Sequence, residues 1–232
     1  MPNELKLLFA EELGIHDINA LARTCRKMNE VLARFVYCRA KDLRTKWGRP
    51  YFLLAVDDGN LVAVEQFIEV GASVNMMDKV SHLPGTAIHC CAHFGHLEMA
   101  KFLIDKGINV LAFDKFGDTA LHSVVTGMHP KESMVRLLVE AGADMEATWN
   151  SFTALHEAAI TGNVRMVRCL LDLGADPNAA NDIGWRPWDL AADDDSRATI
   201  RWLLEERVDV GIDDRYGQKG RTVSHYPRSW YL

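Results

Sequence analysis

A solenoid of repeated units is the fold class that this sequence predicts. A phrase of the form Thr-Ala-x-His begins at Thr86, Thr119 and Thr153, at spacings of 33 and 34 residues. A degraded copy begins at Arg186, 33 residues after the third. A period of this length is typical of chains that stack similar supersecondary units rather than fold around one central core.

Other parts of each unit recur in the same order. A glycine closes each unit, and we expect it to cap a helix with positive φ. These exit glycines are Gly71, Gly107, Gly142 and Gly174. Pairs of apolar residues lie shortly before the ends of the units and predict helices that pack between neighbouring units. The pairs are Leu103-Ile104, Leu137-Leu138, Leu170-Leu171 and Leu203-Leu204.

The repeated phrase and its period resemble the ankyrin repeat, which consists of a β-turn and two antiparallel helices. This resemblance covers residues 48–209. It implies an all-α fold, a solenoid of about five helical hairpins with β-turn fingers between them. It also implies a concave surface suited to binding rather than a catalytic centre.

Three irregularities interrupt the period. The finger between Asn75 and Thr86 is three residues longer than its equivalent, and the segment Gly127–Pro130 adds two residues between two helices. The finger before Thr153 is one residue short and lacks its glycine. Insertions in solenoids fall in loops, often on the binding face, and neutral drift in surface turns is the alternative.

Residues 1–47 do not follow the repeat and predict three compact helices. They resemble an F-box of the fungal type in the opening Met1–Leu5, in Asp17–Arg26 and in Tyr37–Ala40. Met1 stands where the F-box motif has leucine.

The F-box resemblance implies docking on a Skp-type adaptor of a cullin-RING ubiquitin ligase. The residues that would contact this adaptor are Pro2, Leu5 and Leu8. The alternative is that the N-terminal helices only cap the first repeat and cover its apolar face. Both interpretations remain open at the level of sequence.

Residues 210–232 form a tail that is rich in rings, with Tyr216, Tyr226, Trp230 and Tyr231. This content is too apolar for an ordinary disordered tail. We therefore predict that the tail packs back on the solenoid, either against the fifth repeat or across the concave groove.

Composition excludes several classes of protein. Hydrophobic residues make up 48% of the chain, and the net charge is −6, which argues against nucleic acid as the main partner. No apolar run is long enough to span a membrane, and the acidic N-terminus is unlike a signal peptide. Five cysteines without a C-x-x-C pair indicate reduced thiols, and so a cytoplasmic or nuclear location.

The segment His89–His96 contains three histidines and two cysteines, a composition that suggests a metal site. The repeat accounts for most of it, because His89, His122 and His156 share one register in which the ankyrin histidine hydrogen-bonds a neighbouring unit. The His156-Glu157 pair starts an H-E-x-x-H motif, but Ile160 stands in place of the second histidine. We predict neither a metal site nor a cofactor.

Positions that the repeat leaves free predict the binding site. We expect them to line one concave groove with an aromatic centre, a type of surface that binds ligands and proteins. The predicted ligand-binding or client-binding residues are His93, Phe94, Phe116, Asp118, Trp149, Phe152, Ile160 and Trp185. The alternative is that some of these rings pack internally.

Two functions follow from this groove. The first is a protein-interaction adaptor that binds a client protein and, through the F-box-like segment, serves as substrate receptor of a ubiquitin ligase. The second is an isomerase or cyclase that acts on a small apolar molecule by acid/base catalysis. The catalytic candidates for this second function are His93, Asp57, Asp58, His82 and Lys115.

Overall fold

The computed structural model describes residues 49–78 and 85–190 of the 232-residue chain. Within these ranges the predicted all-α architecture of helical hairpins joined by fingers is confirmed. The F-box-like segment 1–47, the finger residue His82, the pair Leu203-Leu204 and the tail 210–232 lie outside the described residues.

The described residues form eight α-helices, a two-stranded sheet and one 3₁₀ helix. The helices are α1 (Tyr51–Asp57), α2 (Leu61–Glu69), α3 (Ala87–Phe94), α4 (Leu97–Asp105), α5 (Ala120–Thr126), α6 (Glu132–Glu140), α7 (Ala154–Ile160) and α8 (Val164–Asp172). Strand β1 (Met77–Asp78) pairs antiparallel with β2 (Gly85–Thr86), and Pro187–Leu190 forms the 3₁₀ helix.

The recurring residues explain where the helices begin and end. Thr119 and Thr153 stand at the N-caps of α5 and α7, and each forms a capping box with the histidine three residues later. Asn60 and Asn163 cap α2 and α8 through their side-chain oxygens. The predicted positive φ of the exit glycines is confirmed, with φ between 81° and 101°.

The chain divides into two compact units. Of the described residues, the first unit contains 49–78, 85–91 and 98–109. Here α1 packs on α2, and the rings of Phe52 and Phe67 meet edge to face with centroids 6.2 Å apart. Both rings are buried and form part of the apolar core of this unit.

The second unit contains, of the described residues, 92–97 and 110–190. Helix α5 packs on α6 and α7, and α7 packs on α8 and on the 3₁₀ helix. The leucines that the period places inside are buried in this core. They are Leu121, Leu138, Leu155 and Leu170. No helix in the described ranges combines the length and the apolar character needed to cross a bilayer.

Candidate functional site

Three successive fingers of the second unit carry most of the predicted binding residues. In the finger at residues 113–118, the Asp114 carboxylate accepts hydrogen bonds from the backbone N–H groups of Phe116 and Asp118, at 2.7 and 2.9 Å. The finger at residues 181–185 repeats this arrangement, with Asn181 bonded to Ile183 and Trp185. These local side-chain bonds hold the tips in defined turns.

The short finger at residues 149–152 closes differently. Trp149 and Phe152 exchange two backbone hydrogen bonds of 2.8 and 2.7 Å, so only two residues make the turn. These two residues, Asn150 and Ser151, have φ values of 46° and 69°. A two-residue hairpin turn with both φ values positive favours Asn-Gly, so the missing glycine leaves Ser151 in a strained conformation.

Buried histidines fix the base of two fingers. His122 donates from Nε2 to the carbonyl of Phe152 at 3.0 Å, while its Nδ1 faces the Thr119 hydroxyl at 2.8 Å. Because a carbonyl only accepts, the Nε2–H tautomer follows from this contact. The prediction that the histidine of the repeated phrase hydrogen-bonds the neighbouring repeat is therefore confirmed for His122.

His156 shows the same arrangement one repeat later in the chain. Its Nε2 donates to the carbonyl of Trp185 at 3.1 Å, and its Nδ1 lies 2.9 Å from the Thr153 hydroxyl. Burial lowers the pKa of His156, so the ring stays neutral and rigidly bonded at neutral pH.

Neighbouring fingers are also joined near their tips. The indole N–H of Trp149 donates to the carbonyl of Phe116, and the Ser151 hydroxyl donates to the Asp182 carboxylate. Phe116 and Ile183 occupy the same position in their fingers and are 56% and 61% exposed. We call residues 113–118, 149–152 and 181–185 together the finger surface.

The predicted rings on the finger surface have different environments. Phe116 is open to solvent, and the Lys115 ammonium lies 4.8 Å from its ring centroid. Trp149 is half-buried and lies against Gly117, where an added Cβ would approach its ring to 3.1 Å. Phe152 is half-buried, with its ring edge-on to His156 at 5.8 Å, and Trp185 is also half-buried.

His93 and Phe94 belong to a separate ring group at the C-terminal end of α3. Phe94 meets His93 edge to face at 5.0 Å and stacks on His96 at 5.8 Å. Finger residues stand at the N-terminal ends of first helices, whereas Phe94 stands at the opposite end of one. A helix of seven or eight residues is roughly 11 Å long, which places the two groups at different levels.

The two-residue insertion packs against this second ring group. Met128 donates its backbone N–H to the His93 carbonyl at 3.0 Å, and Lys131 donates from Nζ to the Gly95 carbonyl at 2.8 Å. A Cβ at Gly127 would come within 2.6 Å of the His93 carbonyl oxygen. The insertion thus fits closely over the end of α3.

Helix α7 carries a buried acidic residue, Glu157. Glu157 is only 4% exposed and shares a helix face with the predicted residue Ile160, three positions later. Its charge acts on half-buried Asp118, whose pKa is raised to about 7 by burial, Asp114 and Glu157. Burial also raises the pKa of Glu157 itself. The sequence marked Glu157 only as part of an incomplete zinc motif.

The first unit contains a buried ion cluster that sequence analysis missed. Arg49 donates two hydrogen bonds to Asp57, at 2.6 and 2.8 Å, and one to the fully buried Asp78 at 2.7 Å. Its guanidinium also lies 3.3 Å from the sulfur of Cys90. The Asp57 carboxylate is thus committed to an ion pair rather than poised for proton transfer.

Three further catalytic candidates, Asp58, Lys115 and His93, lie among the described residues. Asp58 is exposed at the end of α1, Lys115 lies over the ring of Phe116, and His93 contacts Phe94. In the described ranges, no group of three potential metal ligands is present. His89 instead binds Thr86, its Nδ1 lying 3.0 Å from the hydroxyl. The described cysteines Cys90, Cys91 and Cys169 are free and buried.

Comparison with known proteins identifies the repeat. The family described as ankyrin repeats (3 copies) matches residues 52–149 and 129–214, most of the chain. A Caenorhabditis elegans protein, the transient receptor potential cation channel subfamily A member 1 homolog, is 29% identical over 63% of this chain and 12% of its own length. Human inversin is 27% identical over 80% of this chain and 18% of its own length.

A third relative is the E3 ubiquitin-protein ligase KEG of Arabidopsis thaliana, 37% identical over 38% of this chain. That match covers 6% of the plant protein, so the chain spans less than a fifth of each of these three relatives. What the relatives share with this chain is the repeat, and the family match covers more than half of its residues. The chain belongs to the ankyrin-repeat family.

Proposed function

We propose that this chain is a protein-interaction adaptor that binds a client through the finger surface of its second unit. The observation that carries this proposal is the exposure of Phe116 and Ile183 on fingers that are joined to neighbouring fingers by hydrogen bonds. Exposed apolar side chains on a rigid support provide binding energy without the entropic cost of ordering the surface. Ankyrin-type solenoids commonly bind through such extended surfaces.

The first finger adds further exposed apolar area. Leu111 and Phe113 are 52% and 50% exposed, and they precede Phe116 in the same part of the chain. This concentration of apolar side chains next to the finger tips is typical of a protein-binding patch.

A capture experiment tests this proposal. Immobilised wild-type chain is compared with Phe116→Ser/Ile183→Ser in a lysate of the source organism, with bound proteins quantified by mass spectrometry. Val62→Ser is the matched control, because Val62 is 69% exposed but lies outside the fingers. We expect at least one protein that the wild type and the control retain and that the double variant loses. Equal retention by all three would refute the finger surface as the client site.

A ubiquitin-ligase role is the finer version of this proposal. Two observations support it: the F-box-like residues Pro2, Leu5 and Leu8, and the E3 ubiquitin-protein ligase among the relatives. The test is co-purification of the full chain with a Skp-type adaptor. A complex that Pro2→Ala/Leu5→Ala abolishes would support the ubiquitin-ligase role. If the wild type forms no complex at micromolar concentration, the ubiquitin-ligase role is refuted, but the proposal of client binding is not affected.

A further inference from the structure

The glycines of two described fingers share a sequence pattern. Gly117 and Gly184 each lie three residues after an Asp or Asn, at Asp114 and Asn181, and both have positive φ, 95° and 81°. Of the 16 glycines in the chain, only one other, Gly217, has Asp or Asn at this spacing. Gly217 lies 33 residues after Gly184, which is the repeat period. The pattern of a finger thus recurs where the period places the next one.

The described fingers show what this pattern does. In both, the side-chain oxygen of the Asp or Asn accepts hydrogen bonds from the backbone N–H groups two and four positions later. The backbone N–H of the Asp or Asn in turn donates to the carbonyl of the fifth residue, at 2.8 and 2.9 Å. This closed five-residue loop leaves its third residue exposed, Phe116 in one finger and Ile183 in the other. Tyr216 holds the same position between Asp214 and Gly217.

The residues after this segment match the beginning of another repeat. Thr222 and His225 have the Thr-x-x-His spacing of the repeated phrase, which forms capping boxes in α5 and α7. Thr222 follows Asp214 by eight residues, which is longer than in the two fingers just described. The finger between Asp78 and Thr86 has the same spacing, and its two ends pair as β1 and β2. The fold therefore already accommodates a finger of this length.

One anchor of the described fingers is replaced. His122 and His156 donate from Nε2 to carbonyls of the following fingers, and the next position in this register is Asp189. The Asp189 carboxylate accepts a hydrogen bond from the backbone N–H of Arg186 at 2.9 Å, and a carboxylate does not donate to a carbonyl. A finger at residues 214–218 would therefore depend on its own Asp214 side chain, which makes this residue the point to test.

We propose that residues 214–218 form the next finger and add Tyr216 to the finger surface as a further client contact. Residues 214–225 lie outside the described ranges, and their placement is inferred from the two described fingers. The client contact rests on the proposed function, whereas the finger itself does not. A client segment that fits this row carries apolar side chains toward Phe116, Ile183 and Tyr216, because a tyrosine ring offers a large apolar face.

The first arm of the test measures amide hydrogen exchange by nuclear magnetic resonance on the full-length, isotope-labelled chain. The amides of Tyr216 and Gln218 should exchange about tenfold or more slowly than in an unstructured chain, because Asp214 would accept their hydrogen bonds. Asp214→Ala should abolish this protection, whereas the matched control Asp213→Ala should keep it. Circular dichroism of both variants establishes that the solenoid is folded. Unprotected amides in the wild type, or protection that survives Asp214→Ala, would overturn the finger.

The second arm measures binding of a linear peptide that is selected from a random display library on the full-length wild type. The peptide chosen is one whose affinity Phe116→Ser lowers. Tyr216→Ser should weaken its binding about tenfold or more, since truncation of a central aromatic contact has effects of this size. Tyr226→Ser, which removes another tyrosine from the same tail, is the matched control and should change the affinity less than twofold.

The outcomes separate this proposal from the one on which it rests. Full affinity of Tyr216→Ser for a peptide that Phe116→Ser weakens would overturn the further contact and leave the client site standing. An equal loss for Tyr226→Ser would overturn the assignment of the contact to the finger tip. If no selected peptide is sensitive to Phe116→Ser, the client site and its extension both fail, while the exchange data still decide whether the finger exists.

Discussion

Replacing Arg49 with leucine removes the only described cation from the buried ion cluster of the first unit. Arg49→Leu removes the guanidinium that donates hydrogen bonds to the fully buried carboxylate of Asp78 and to that of Asp57. Loss of one member of a buried ion pair costs about 3–5 kcal/mol, because the remaining charge stays desolvated and uncompensated. We expect urea unfolding, followed by circular dichroism, to show a loss of this size.

The neighbouring Cys90 provides a local readout. Burial, followed by the charge of Asp57, raises the pKa of this thiol to about 12, so it should resist alkylation in the native state. Removing Arg49 takes away a cation that lowers this pKa, which makes the native thiol still less reactive. Faster alkylation of Cys90, quantified by peptide mass spectrometry, can then come only from transient unfolding of the first unit that exposes the thiol. A loss of 3 kcal/mol corresponds to an increase of about a hundredfold.

A rescue variant separates charge from packing. Arg49→Leu/Asp78→Asn also removes the buried carboxylate charge of Asp78 while the leucine remains, and it should recover about 2 kcal/mol of the loss. A loss below about 1 kcal/mol for Arg49→Leu would refute the assignment of this cluster as a stabilising element. The same would follow if the double variant were no more stable than the single one.

Three further predictions concern the second unit. The pKa of Asp118 is raised from 3.8 to about 7, so the unfolding free energy of the wild type should fall as pH rises through this range. At pH 8 the unfolding free energy of Asp118→Asn should be higher than that of the wild type by on the order of 1 kcal/mol after solvent screening, and at pH 4 the two should be equal. A difference that stays constant across pH would contradict this. Gly127→Ala should cost about 2–3 kcal/mol in urea unfolding, because the new Cβ would stand 2.6 Å from two backbone oxygens; a loss near zero would show that the insertion moves freely. Ser151→Gly is best tested in an Asp182→Ala background, because that background already lacks the hydrogen bond from the Ser151 hydroxyl. There Ser151→Gly should raise the unfolding free energy by about 1 kcal/mol, and unchanged stability would contradict the inferred strain.

The repeat made the architecture predictable from the sequence. A fixed period brings the same residue types to the same structural positions, so one glycine or one histidine is interpreted with the help of its equivalents. The φ values of Gly107 and Gly142 and the hydrogen bond from His122 to Phe152 followed from this register. These features depend on neighbours close in sequence or exactly one repeat away, where the periodic signal is strong.

Features without a periodic signal were not predictable. The Arg49 cluster joins residues 8, 29 and 41 positions apart, and nothing in the repeat pattern marks such pairings. The burial of Glu157 also escaped prediction, since an acid at a variable helical position is usually exposed. The repeat register predicts which face of a helix Phe94 occupies but not how far along the helix axis it lies, so the sequence does not separate Phe94 from the finger rings.

The finger surface is the central element of this account, and site-specific photo-crosslinking tests it most directly. A photoreactive benzoylphenylalanine replaces Phe116 in one full-length protein and Val62 in another, both expressed in the source organism. Illumination should attach a client protein at position 116 and not at position 62. The same protein attached at both positions, or none at position 116, would contradict the account.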